Sequence, residues 1–94
     1  MKKIIGPNLH QKLIEKRKEI DLIDRKLLSL LNQRLRIALG IGKIKREMGG
    51  EIYNPEREKE VLESLTVKNR GPLKEGDIKK IFRTIMKVCR KSQT

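Results

Sequence analysis

Apolar residues recur at three- and four-residue steps between Leu9 and Met48, at Leu13, Ile20, Ile23, Leu27, Leu30, Leu31, Ile37, Ala38, Ile41, Ile44 and Met48. That spacing predicts one very long amphipathic helix. Gly40 and Gly42 fall inside it, and each costs up to about 1 kcal/mol in a helix interior. The period nevertheless runs from Ile37 through Ile41 to Ile44 without a slip, so a continuous helix is preferred to a hairpin broken at the glycines. Gly49-Gly50 supplies the stop. Asn54-Pro55 opens a second helix, with Asn54 as its N-cap and Pro55 at the first helical position. Val61, Leu62 and Leu65 form its apolar side, and Gly71-Pro72 marks the loop beyond it. A third helix is expected from about Lys74 to Ser92, its apolar side being Ile78, Ile81, Phe82, Ile85, Val88 and Cys89. Nothing alternates as a strand would. The fold class is therefore all-α, with a long, a short and a medium helix in one domain, residues 1–94. Residues 1–8, interrupted by Gly6-Pro7, read as a leader with Asn8 as the N-cap of the long helix.

Length changes this picture. A helix of about 40 residues is on the order of 60 Å long at ~1.5 Å per residue. A compact chain of 94 residues has a diameter of only about 32 Å, and a chain of this size buries roughly 60–65% of its unfolded surface. The remaining half cannot wrap such a rod. An intertwined homodimer is the expected solution.

Charge narrows the ligand class. Lys and Arg number 24 against 12 Asp and Glu, a formal net charge of +12. Anionic partners are favoured, whether nucleic acid, an acidic membrane surface or a small polyanionic metabolite. The cations are spread along the whole chain, and only Tyr53 and Phe82 could stack on bases, so a basic helical dimer that binds nucleic acid is the weaker reading. One Cys and one His, without paired spacing, give no metal-site pattern and no internal disulfide, which suits a reducing cytoplasm. The start, MKKIIGPN, has too short an apolar run for a signal peptide. No segment approaches the ~20 apolar residues of a membrane span.

Three cations interrupt or border the apolar stripe of the long helix. Arg34 falls in the seven-residue series where Leu or Ile is expected, and Arg17 and Lys45 sit at its edge. Cations directed at an interior need anions there. Arg34 and Lys45 are 11 residues apart, hence within about 20° of one another and roughly 16 Å apart along the axis. Together they could grip one small anion. Arg17 lies 28 residues from Lys45, on the order of 42 Å away on a straight helix, so it could join that pair only from a second, antiparallel copy. The plainer alternative for all three is a set of solvated or snorkelling charges. In the second helix Arg57 and Glu58 both occupy the first turn, where a Glu ordinarily serves the helix dipole. Cys89 and Gln93, four residues apart, share a face of the third helix, although a Gln one residue from the end would ordinarily be a frayed one.

These positions recur together in one family. The segments RKEIDLIDRKLLSLLNQR, GKIKRE, YNPEREKEVL and IFRTIMKVCRKSQ stand in the order and spacing of the all-helical chorismate mutases, which the chain resembles from Leu13 to Gln93. The run NRGPL further resembles the mutase domain that bacterial bifunctional proteins fuse to prephenate dehydratase. The resemblance implies an intertwined helical dimer that rearranges chorismate to prephenate in aromatic amino acid biosynthesis, without cofactor or metal. It assigns Arg17, from the partner subunit, and Arg34 to the two substrate carboxylates. Lys45 is assigned to a carboxylate and the ether oxygen, Gln93 to that same oxygen, and Glu58 to the ring hydroxyl with help from the backbone at Asn54. Arg57 supports the site. Cys89 stands where the family often has Ser, a weaker donor, and Asn54 where an acid is common. An isochorismate pyruvate lyase of the same fold is the enzymatic alternative.

Overall fold

In the computed structural model, residues 6–94 are described, with side chains from Asn8 onward. Three α-helices follow in order: α1 (Gly6–Met48), α2 (Pro55–Lys68) and α3 (Glu75–Ser92). No strand occurs among the described residues. Gly40 and Gly42 lie inside α1, as the unbroken apolar period required.

The beginning of α1 departs from expectation. Gly6 and Pro7 are already helical, so Asn8 lies within α1 rather than capping it. The rest of the expected leader, residues 1–5, lies outside the described residues.

The other helix ends follow local chemistry. Gly49 adopts φ +73°, its N–H donates to the carbonyl of Arg46 at 3.1 Å, and that of Gly50 donates to the carbonyl of Lys45 at 2.8 Å. This paired arrangement satisfies two terminal carbonyls, and the left-handed residue between them is a glycine because a Cβ would be strained there. At the start of α2 the Asn54 side chain accepts from the N–H of Arg57 at 3.1 Å, with Pro55 in the first turn. Past Lys68, Asn69 organises the loop by accepting from the N–H of Gly71 and donating to the carbonyl of Leu73. Lys74 caps α3 without a side-chain bond, while Glu75 and Asp77 face the positive end of the helix.

By its contacts the chain divides after Asn32 into two units. In residues 8–32, which are a stretch of α1, most apolar side chains are open to solvent: Ile20 is 56% and Ile23 61% exposed, while Ile14 and Leu31 are half-buried. In residues 33–94, α2 packs against α3. The core of this unit is small and consists of Ala38, Leu62, Ile78, Met86 and Cys89, with Gln93 buried beside it. Ile81 and Val88, expected on the apolar side of the third helix, are instead 45% and 53% exposed. The buried stripe follows Ile78, Met86 and Cys89, with Phe82 half-buried along it, and Ile81 and Val88 lie off it by roughly a quarter turn or more at ~100° per residue.

Candidate active site

Within residues 33–94, one cavity of about 270 Å³ opens between the last turns of α1, the start of α2 and the end of α3. It gathers Arg34, Lys45, Asn54, Arg57, Glu58, Cys89 and Gln93, seven of the eight residues singled out from the sequence. Apolar side chains, among them Ile37, Ile41, Val61 and Met86, fill the wall between them. The volume is near the lower end of small-molecule sites, which run from about 300 to 1,000 Å³.

Each polar group is held by a neighbour. Arg34 donates from Nη1 to the Sγ of buried Cys89 at 3.2 Å. The thiol thus serves as an acceptor that fixes the guanidinium, whereas the sequence suggested only a weakened donor in place of a hydroxyl. Lys45 is half-buried and donates from Nζ to the carbonyl of Ile52 at 2.9 Å; its own carbonyl is fixed by Gly50. An ammonium has three N–H donors, so two remain for a ligand. Asn54 spends its side-chain oxygen on the cap of α2 and its carbonyl on the N–H of Glu58 at 3.1 Å, so of its main-chain groups the N–H is the one left for a ligand. Arg57, in the first turn of α2, is exposed and lies 3.6 Å from Glu60. Such surface pairs contribute little, and Arg57 remains available at the mouth of the cavity.

Gln93 is far from frayed. It is 9% exposed, and its Nε2 donates to the carbonyl of Ala38 at 2.6 Å. Arg46 donates to its main-chain carbonyl at 2.7 Å. A Cβ placed on Gly42 would lie 3.0 Å from Cγ and 3.1 Å from Cβ of Gln93. Ala38 and Gly42, one turn apart on α1, thus form a seat for the amide, and the second N–H of that amide is left to point elsewhere. From the sequence Gly42 looked only like a cost to the helix.

Arg90 was missed. It lines the cavity, pairs through Nη1 with Oε2 of Glu58 at 2.5 Å, and lies over the ring of Tyr53 at 4.4 Å from its centroid. A signal existed: Arg90 follows Met86 by four residues and precedes Gln93 by three, so it borders the buried stripe. The KVCRK run nevertheless reads as a solvated helix end. Arg17 belongs to residues 8–32, where it is exposed, and the cavity wall is drawn from residues 34–93 alone. With Arg90 the wall holds four cations, Arg34, Lys45, Arg57 and Arg90, against the one carboxylate of Glu58. It is suited to a small molecule bearing more than one negative charge.

The chain is similar to known proteins over most of its length. The chain is 40% identical over 85 residues to the bifunctional chorismate mutase/prephenate dehydratase of Neisseria gonorrhoeae, an alignment that takes in 90% of this chain and 23% of that protein. It thus spans under a quarter of the length of such bifunctional relatives. Among solved structures it is similar to chorismate mutase (form II) from Thermus thermophilus, with a TM-score of 0.86 and 36% identity over 87% of this chain and 93% of that one. The chorismate mutase of Helicobacter pylori, solved in complex with prephenate, superposes with a TM-score of 0.83 and 37% identity over 88% and 90% of the two chains. The family model for chorismate mutase type II matches residues 16–94, and with the helices and cavity described above the chain belongs to that family.

Proposed function

We propose that the chain converts chorismate to prephenate, and that it does so as a homodimer with Arg17 crossing into the partner's site. The observation that carries this reading is the single cavity that joins Arg34, Lys45, Glu58 and Gln93. Cations there match a dianionic substrate, and one carboxylate matches its ring hydroxyl. The family match runs through both units, from residue 16 to 94, which supports reading the 94 residues as one mutase domain.

The reaction is unimolecular: the ether C–O bond breaks as a C–C bond forms, and no proton is transferred. The protein need only hold the enolpyruvyl side chain over the ring and stabilise the negative charge that grows on the ether oxygen. Arg34 and the partner's Arg17 hold the two carboxylates. The free N–H groups of Lys45 and Gln93 converge on the ether oxygen. Because that charge is greater in the transition state than in the substrate, these two groups bind the transition state better and lower the barrier. Glu58 accepts from the ring hydroxyl, the Asn54 main chain assists, Arg57 supports the mouth of the site, and Cys89 acts by steadying Arg34.

The dimer rests on two observations. Apolar residues along 8–32 are exposed, Leu13, Ile20, Ile23, Leu27 and Leu30 among them, and a stripe of that extent normally marks an interface. The second is the cavity wall, which contains Arg34 and lacks Arg17. Fusion to prephenate dehydratase, as in the bifunctional relatives, fits a chain that corresponds to only part of their length.

Purified protein offered chorismate and, separately, isochorismate, with the products identified, tests the reading. Prephenate formed from chorismate is expected. Pyruvate released from isochorismate with no turnover of chorismate would overturn it in favour of the lyase.

A further inference from the structure

We infer that Arg90 is a positioning residue for substrate binding, acting through Glu58; the inference rests on the mutase reading above. Arg90 is not a free surface cation. Its side chain is 30% and that of Glu58 26% exposed, and the guanidinium is clamped between the Glu58 carboxylate and the Tyr53 ring. One residue of α3 therefore ties together the approach to α2 and its first turn, the segment that presents Glu58 to the cavity.

The pairing has a directional consequence. Arg90 engages Oε2 of Glu58, leaving Oε1 to accept a ligand hydroxyl. Glu58 must also sit as an anion in a cavity that receives a dianion, and like charges drawn into one cavity repel. The Arg90 guanidinium is the cation beside that carboxylate. It keeps Glu58 from swinging toward the other cations of the wall, Arg34, Lys45 and Arg57, where it would compete with the substrate carboxylates. The stack on Tyr53 holds the planar guanidinium in the orientation the carboxylate needs.

Glu58 meets the hydroxyl, not the bond that breaks. An interaction of that kind is made equally in substrate and transition state, so its loss raises KM more than it lowers kcat. Arg90→Met is expected to raise KM for chorismate by about tenfold while kcat stays within about threefold. Arg90→Lys, which keeps the charge but not the planar fork, should restore part of the loss. In a double-mutant cycle, Arg90→Met added to Glu58→Gln should cost less than about twofold further, because the group it acts through is gone. Circular dichroism of each variant monitors folding, and if Arg90→Met does not fold, the cycle is run with Arg90→Lys. An unchanged KM in Arg90→Met, a loss confined to kcat, or additive effects with Glu58→Gln would each overturn the inference while leaving the mutase reading intact. A wild-type chain that does not convert chorismate would overturn that reading and the inference with it.

Discussion

At the scale of single residues, donor inventory separates the groups of the cavity by what they can still do. Lys45 spends one N–H on Ile52 and Gln93 spends one on Ala38, so each is fixed in place yet keeps protons for a ligand. Preorganised donors aimed at developing charge are worth about 10²–10³ in kcat each. Lys45→Ala and Gln93→Ala should therefore each lower kcat by about that factor, with helix content by circular dichroism unchanged; near-normal turnover in both would remove the ether-oxygen role. Arg34 differs in depending on a soft acceptor, Cys89 Sγ. The identities of these residues were legible in the sequence because cations in an apolar stripe violate its pattern. Their partners were not, since Ala38, Cys89 and Ile52 bond them through atoms that no periodicity marks.

At the scale of helices, the two glycines of α1 carry opposite predictions. A methyl at Gly40 would meet nothing within 4 Å, whereas one at Gly42 would press on Gln93. Gly40→Ala should leave kcat nearly unchanged and raise helix stability by about 0.5–1 kcal/mol, read as a higher Tm. Gly42→Ala should lower kcat by about tenfold, since the Gln93 amide proposed to meet the ether oxygen must shift to make room, and a misplacement of about 1 Å can cost about 10²-fold. Equal turnover in the two variants would show that the seat for Gln93 is not needed. The helix boundaries themselves were readable from caps and breakers: Gly49-Gly50 and Asn54-Pro55 act through neighbours within a few residues. Gly6-Pro7 misled because a glycine and a proline signal a boundary without fixing on which side of them the helix lies, and both are inside α1. Ile81 and Val88 misled because apolarity alone does not say which of two adjacent helix faces is buried.

At the scale of the whole molecule, the exposed stripe of residues 8–32 and the solvent-facing Arg17 carry the proposal of a second copy. The prediction belongs to that scale. Arg17→Ala and Lys45→Ala chains, each inactive alone, should regain activity when mixed and allowed to exchange subunits, because a hybrid dimer contains one site with both residues intact. The ceiling is about one site in four at equal mixing, following from random pairing of the two chains in symmetric dimers. Absence of any recovery, with exchange demonstrated by a mass label, would count against shared sites.

The sequence by itself determined the three helices, their order, the continuity of α1 through Gly40 and Gly42, and the cationic character of the site, because helix periodicity, capping and net charge act over a few residues or need no geometry at all. The grouping of Arg34, Lys45, Asn54, Arg57, Glu58, Cys89 and Gln93 was available only through likeness to a family. Tertiary structure alone decided that Gln93 is buried rather than frayed, that Gly42 makes room for it, that Cys89 accepts from Arg34, and that Arg90 holds Glu58. Each of these depends on atoms at least 32 residues apart in sequence being brought within bonding or van der Waals distance, and no local pattern encodes which distant partner a side chain will meet.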